Sequence, residues 1–307
     1  MPELGGLQHE RAPVGDLFEP ALAPSSTDRA ARRPGAVQLN RWENALIQHA
    51  SLEHAKTSRS RRDTPQFSGF VTDLILPNEH SSAPRPQAFL VEQVPNWLLP
   101  THYHQEHQFQ VVVGGSGRMG ASAIELLGVH YASPHAAYGP LVSGEDGLSY
   151  LTLRAVHDSG AWYLPDQREH LLLRIPKRHA HGAPALRPTD EALLHLAAPL
   201  TETLIEPDAQ GLAAWTVSLP AHASVPNPGG EAPHGGRFYV VTRGSLVHGG
   251  EPLPGLAVIW VGAQDLFEPQ AGAQGAELVV VQFPLAAQQS FIEAMQRPVR
   301  PPAKPTH

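Results

Sequence analysis

Short apolar runs separated by proline and glycine recur along most of the chain after residue 62. The clearest of them are residues 69–77, 89–94, 108–113, 150–154, 238–241 and 278–283. Runs of this length, rich in Val, Leu and Phe and bounded by turn residues, are typical of β-strands. Proline contributes 31 of the 307 residues, about twice its usual ~5% share, which favours many turns over long helices. The sequence therefore predicts an all-β sandwich or barrel.

Three helices are expected at the periphery. Apolar residues recur at helical spacing over residues 40–57, and a second helix is predicted from Thr189 to Ile205, where the first turn is acidic. The third is predicted from Leu285 to Gln296, before a proline. Residues 1–36 are rich in Pro, Gly, Ser and Arg and lack an apolar period, so we expect a flexible arm.

The β-type segments repeat once along the chain. Phe109 and Phe238 each begin a similar apolar run, and a Gly-rich segment followed by another run comes about 35 residues later in both copies, so the offset is 128 to 129 residues. A duplicated β-unit joined by a partly helical linker is predicted. The resulting boundaries are 1–36 for the arm, 37–85 for a helix and lead-in strands, 86–160 for the first unit, 161–205 for the linker, 206–286 for the second unit and 287–307 for the helix end and tail.

The body of the chain is acidic. Residues 63–286 carry 10 Lys and Arg against 21 Asp and Glu, a net charge of −11, while the whole chain has −7. Such a surface repels phosphate backbones, so we expect no nucleic-acid partner and instead a small-molecule substrate. With no run of ~18 apolar residues and no visible secretory signal, no membrane partner is expected and a cytoplasmic location is predicted. The absence of Cys excludes disulfides and thiolate zinc sites.

Two His-x-His pairs occur among the 18 histidines of the chain. His102 and His104 precede an apolar strand, and alternation along an extended strand places them on the same face as Gln108 and Gln110. Two imidazoles so placed can occupy neighbouring positions around one metal ion. The pair His179/His181 follows cations and is not followed by an apolar strand, so it is predicted to lie in a loop without a functional role.

The segment from His102 to Gly115 resembles the first motif of the cupin superfamily: His-x-His, three residues, a ligand position and an apolar strand ending in Gly. Residues 128–140 resemble the second motif. The resemblance covers residues 86–157 and, more weakly, 206–284, and it implies two small antiparallel β-barrels, a bicupin. It also implies a mononuclear metal site in the first barrel, with His102, His104, Gln108 and Tyr138 as ligands and with Gln108 and Tyr138 as catalytic residues.

Two positions depart from the family pattern. Gln108 stands where the family usually has Glu, and Tyr138 stands where it usually has His. A neutral amide oxygen is a weaker ligand than a carboxylate, and Tyr can ligate only as phenolate. His107 and His135 are possible substitute ligands. In the second unit, no metal triad stands at the equivalent positions and only His234 lies nearby, so this unit is predicted to serve packing alone.

The resemblance implies a dioxygenase-like oxidoreductase or a lyase that acts on a small organic substrate. Fe(II) is the favoured cofactor, with Ni, Mn, Cu or Zn as alternatives. The competing hypothesis is that the same His and Gln side chains line a polar pocket without metal, in a protein that binds or senses a small molecule. A homodimer is expected in either case.

Overall fold

The computed structural model describes residues 47–76, 86–158, 160–224, 228, 230, 232–265 and 267–287, and almost all of its regular structure is β. Its helices are short: α1 (Leu52–Ala55), α2 (Asp190–Leu194) and the 3₁₀ turns Lys56–Ser58 and Arg168–His170. Its strands are β1 (Gln48–Ala50), β2 (Ser60–Asp63), β3 (Ser68–Ile75), β4 (Gln87–Gln93), β5 (Leu98–Leu99), β6 (His102–Tyr103), β7 (Gln108–Met119), β8 (Ser122–Ile124), β9 (Val129–Ala132), β10 (Leu141–Arg154), β11 (Trp162–Tyr163), β12 (His179–Gly182), β13 (Leu200–Ile205), β14 (Ala213–Leu219), β15 (Arg237–His248), β16 (Glu251–Pro254), β17 (Val258–Val261) and β18 (Gln270–Gln282).

The strands form two large antiparallel sheets. The first has the order β12-β9-β7-β10-β4-β3-β2, with β5 and β8 paired at its side, and the second has the order β1-β17-β15-β18-β14-β13, with β16 on β15. A small third sheet pairs β6 with β11. Strands β7 and β15 begin 129 residues apart, as do β9 and β17. The predicted all-β class with two antiparallel barrels, called barrel 1 and barrel 2 below, is confirmed.

A shared apolar core joins the two barrels. Phe109 and Val111 of β7 point towards barrel 2, where the ring of Phe283 lies 5.0 Å from that of Phe109 in an edge-to-face contact. The intervening residues of β7, which include Gln108 and Gln110, point into barrel 1. Alternation along one strand therefore separates the packing face from the face that carries the polar side chains.

The interiors of the two barrels differ. Barrel 2 is filled by a closed cluster of buried apolar side chains that includes Trp215, Val217, Tyr239, Ile259, Phe267 and Leu278. Barrel 1 has a smaller apolar cluster, built around Val112, Leu148 and Tyr150, beside a group of buried polar side chains. Barrel 2 has the interior expected of a scaffold, and the polar chemistry lies in barrel 1.

The helix predicted over residues 40–57 is wrong at its centre, although the chain is helical from Leu52 onwards, and it lies outside the described residues before residue 47. Gln48–Ala50 is strand β1, which pairs with Val258–Trp260 at the edge of the barrel 2 sheet. Pairing with an open sheet edge overrides the local helical period. Helix begins only after Ser51, whose hydroxyl accepts the His54 backbone N–H at 3.4 Å as an N-cap.

The helix predicted from Thr189 to Ile205 is also too long. It ends at Leu194, and residues Leu200–Ile205 form β13, because Pro199 interrupts the helix and the β-branched Thr201 and Thr203 favour a strand. The predicted helix from Leu285 begins as expected, but from residue 288 it lies outside the described residues, as does the predicted arm 1–36. Within the described residues, no helix has the length and apolarity needed to cross a membrane.

Buried neutral histidines should make the fold sensitive to acid. Burial, with a smaller effect from Arg237, lowers the pKa of His234 to about 4, and its Nδ1 accepts the Gly236 N–H at 2.9 Å. Below about pH 6.5, the His234 side chain therefore binds a proton in the unfolded chain but not in the folded one. At about pH 5 this difference lowers the free energy of unfolding by roughly 2 kcal/mol.

The variant His234→Asn should lose less stability on acidification than the wild type. Asn can accept the same N–H two residues on but does not titrate. We expect the fall in Tm between about pH 7.5 and about pH 5 to be smaller by roughly 4 °C in the variant, by differential scanning calorimetry. Equal falls in the two proteins would contradict this assignment.

Candidate functional site

Strand register brings the polar residues of barrel 1 together. In the β7–β10 pair, Gln108 lies opposite Arg154, and Arg154 in turn lies opposite Gln87 of β4. Directly opposite residues share a face with Cβ atoms about 5 Å apart. His102 is brought to the same end by backbone bonds to Tyr138, at 3.1 Å from its N–H and 2.9 Å to its carbonyl.

The four predicted ligands meet at this end of barrel 1. The Tyr138 hydroxyl lies 3.0 Å from Nε2 of His102 and accepts Nε2–H of Gln108 at 2.7 Å, and the rings of His102 and His104 are 5.3 Å apart. Nδ1 of His102 donates to the Pro100 carbonyl at 2.8 Å. Nε2 of His102 is therefore the unprotonated nitrogen, and it accepts the phenolic proton of Tyr138.

Arg154, which the sequence analysis missed, lies among these side chains and is only 3% exposed. Its Nε and Nη2 donate to Oε1 of Gln108 at 3.0 and 2.6 Å, and its Nη1 donates to Oε1 of Gln87 at 2.6 Å. Nη2 also lies 3.0 Å from Nδ1 of His104, whose proton goes to the Asp158 carboxylate at 2.6 Å. The sequence did contain one indication of this role. Arg154 is a charged residue in the apolar strand predicted over residues 150–154, on the same face as Thr152.

The electrostatics of the cluster follow from burial and from this cation. Burial, with additional repulsion from His104 and Arg154, lowers the pKa of His102 to about 3. Burial and Arg154 also lower the pKa of His104, against the opposing effect of Asp158. Burial raises the pKa of Tyr138 above its ordinary value. Both imidazoles and the phenol are therefore neutral near pH 7.

This donor set does not fit a divalent metal ion. The Oε1 atom of Gln108, its only metal-binding atom, already accepts two hydrogen bonds from Arg154. Tyr138 is a neutral phenol whose proton is directed at His102, and the guanidinium contacts His104. Arg154 would repel a second cation here, and the buried carboxylate beside it, that of Asp158 at 3.9 Å, already balances its charge.

The same pair of side chains occurs in barrel 2 with the two residues exchanged. Arg237, 129 residues after Gln108, lies opposite Gln282 in the β15–β18 pair, and its Nε donates to Oε1 of Gln282 at 2.6 Å. Gln282 lies on β18, the strand of barrel 2 that corresponds to β10, which carries Arg154 in barrel 1. In each barrel, therefore, a buried guanidinium donates to a glutamine that lies opposite it on the neighbouring strand.

The two substitute ligands lie elsewhere. Nδ1 of His107 is 2.5 Å from the hydroxyl of Tyr131, on the face of the chain that belongs to the shared core. The ring of His135 stacks on Tyr103 at 5.4 Å. Neither imidazole reaches the Arg154 cluster.

The prediction of a loop at His179/His181 is wrong. Residues His179–Gly182 form β12, which pairs with β9 and places His181 opposite His130. The rings of His130 and His181 stack at 4.6 Å with an interplanar angle of 12°. Because the partner strand is distant in sequence, local composition did not indicate this strand.

A cavity of about 320 Å³ opens beside the cluster. Of strand β7, it is lined by Gln110 and Val112, which follow Gln108 on the same face. His130, whose ring lies 4.8 Å from that of Tyr138, separates the two regions. The polar side chains around the cavity are mainly Gln110, Tyr150, His130 and His181. The apolar walls are formed by Val112, Met119, Val129, Ile124, Leu141 and Leu148.

Removing the cation should turn these side chains into a donor set that fits a metal ion. We expect Gln108→Glu/Arg154→Met to retain about one Ni²⁺ per chain after desalting, since a carboxylate joins two neutral imidazoles and the repulsion is gone. The single variant Gln108→Glu should retain none, because Glu would pair with Arg154 instead. Metal content is measured by elemental analysis.

The matched control is Arg237→Met/Gln282→Glu in barrel 2, where Glu231 and Pro233 stand in place of the imidazole pair; it should gain no Ni²⁺. Stoichiometric metal in the wild-type protein would show that Arg154 does not exclude it.

No family model matches the chain, and no curated protein matches it. Solved structures do. A candidate dioxygenase from Nostoc punctiforme is similar with a TM-score of 0.51 at 13% identity, over 81% of this chain and 86% of that one. Oxalate decarboxylase from Lactobacillus farciminis, in a formate complex, has a TM-score of 0.50 at 12% identity, over 79% and 87%. The 11S allergen of Cocos nucifera has a TM-score of 0.51 at 14% identity, over 79% and 90%. Together with the two barrels repeated along the chain, these likenesses show that this protein has the bicupin fold.

Proposed function

We propose that this protein binds a small, uncharged, largely apolar molecule in the cavity of barrel 1 and does so without a metal ion. The observation that carries the proposal is the cavity itself: about 320 Å³ of space in a barrel whose duplicate is filled with apolar side chains. This volume lies at the lower end of the range of about 300–1,000 Å³ found for ligand pockets. Well-packed interiors rarely leave such space without a ligand to fill it.

The charges around the cavity support an uncharged ligand. Among the described residues that line it, Glu125 is the one carboxylate, it is exposed at the rim, and no Lys or Arg is present. Burial and neighbouring histidines lower the pKa of His130 and that of His181, so both rings are neutral. An anion would lose its hydration without gaining a cationic partner.

The residues predicted to be catalytic do not support metal chemistry. The polar groups of Gln108 and Tyr138 bond to Arg154, to His102 and to each other, and neither residue lines the cavity. The guanidinium of Arg154 is likewise held by Gln87 and Gln108. These contacts favour a structural role for the cluster and a binding role for the cavity beside it.

A matched pair of fluorescent probes tests the proposal on chelator-treated protein. N-phenyl-1-naphthylamine is uncharged, and 8-anilino-1-naphthalenesulfonate adds a sulfonate to the same ring skeleton. We expect the uncharged probe to bind at least about tenfold more tightly, because the sulfonate finds no cation in the cavity. Titrations followed by probe emission give both affinities.

A substitution at the rim separates cavity binding from binding elsewhere. Ala123 lines the cavity and is exposed, whereas Ala121 is exposed in the adjacent turn and does not line it. Ala123→Trp should block the uncharged probe, and Ala121→Trp should leave its affinity unchanged. Equal binding by both variants, or binding that requires added metal, would contradict the proposal.

A further inference from the structure

One wall of the cavity carries two polar side chains from adjacent strands. Gln110 of β7 lies opposite Thr152 of β10, and Tyr150 lies opposite Val112, so Gln110 and Tyr150 are diagonal neighbours that both line the cavity. Diagonal neighbours on one face are about 7–8 Å apart, within reach of side chains of this length. Two hydrogen-bonding groups can therefore reach one ligand group.

The amide of Gln110 is only partly used by the protein. Its Oε1 end lies 2.9 Å from Nδ1 of His130, and no other hydrogen bond of this side chain is formed within the part of the chain that the structure describes. The side chain is 6% exposed. The amide N–H groups of Gln110 can therefore donate to a molecule in the cavity.

The hydroxyl of Tyr150 also has capacity left. Its hydrogen bond within the described residues is a long one, 3.4 Å from Nε2 of Gln93. Burial raises the pKa of Tyr150, so the group remains a neutral phenol. A phenol can donate one hydrogen bond and also accept, so a further partner fits.

His130 and His181 continue this polar face onto strands β9 and β12, and the inner walls that face it are apolar. We infer that the molecule bound there is an apolar, ring-sized compound with a single hydroxyl or carbonyl group, which hydrogen-bonds to Gln110 and Tyr150 while the ring packs against Met119, Leu141 and Leu148. This inference rests on the proposed function. It assigns Gln110 and Tyr150 as the residues that determine specificity.

Naphthalene and 2-naphthol test the inference, since they differ by one hydroxyl group. Wild-type protein should bind 2-naphthol more tightly. Gln110→Met and Tyr150→Phe preserve most of the side-chain volume and should each reduce that preference by about three- to tenfold, the usual worth of one hydrogen bond. Their affinity for naphthalene should remain within about twofold of wild type. Isothermal titration gives all the constants.

Tyr163→Phe is the matched control, because Tyr163 is a partly buried tyrosine of barrel 1 that does not line the cavity; it should keep the full preference. If wild type binds both probes equally, or if both cavity variants keep the preference, the assignment of Gln110 and Tyr150 is overturned while cavity binding stands. If neither probe binds to wild type, the inference and the proposed function fail together.

Discussion

The contact between Arg154 and Gln108 sets the direction of the hydrogen bonds that run from Gln108 through Tyr138 to His102. Because the guanidinium donates twice to Oε1 of Gln108, the amide nitrogen must face Tyr138. The phenolic proton is then directed at Nε2 of His102. The guanidinium of Arg154 does not lose its proton in a protein, so it can only donate. It thereby sets the direction of the hydrogen bonds among three neutral side chains, those of Gln108, Tyr138 and His102.

Burying a guanidinium is costly unless it is hydrogen-bonded, and in both barrels a glutamine on the neighbouring strand accepts from it. In barrel 2, exchange of the residues gives Arg237 and Gln282. The neighbouring interior differs: apolar side chains fill barrel 2, while barrel 1 retains a cavity next to its polar group. The duplicated fold therefore separates into a packed half and a half with space for a ligand.

Much of the fold could be predicted from the sequence, because strand period and turn residues are local signals. Alternation also placed His102, His104 and Gln108 on one face, and the structure brings them together with Tyr138. The features that the sequence did not predict depend on contacts between residues that are far apart in the chain. Arg154 reaches Gln108 across 46 residues, and the strand at His179 exists because β9 lies beside it. The helix predicted over 40–57 gave way to pairing with an edge strand.

Strand β1 completes the sheet of barrel 2, although it precedes barrel 1 in the chain. Gln48 pairs with Trp260, 212 residues further along. During synthesis on the ribosome, this strand emerges before its partner and cannot pair until β17 has been made. Pairing at such a separation carries a loop-closure entropy cost that contacts between neighbouring strands do not have. The sheet of barrel 2 therefore takes one edge strand from a segment that is synthesised before the whole of barrel 1.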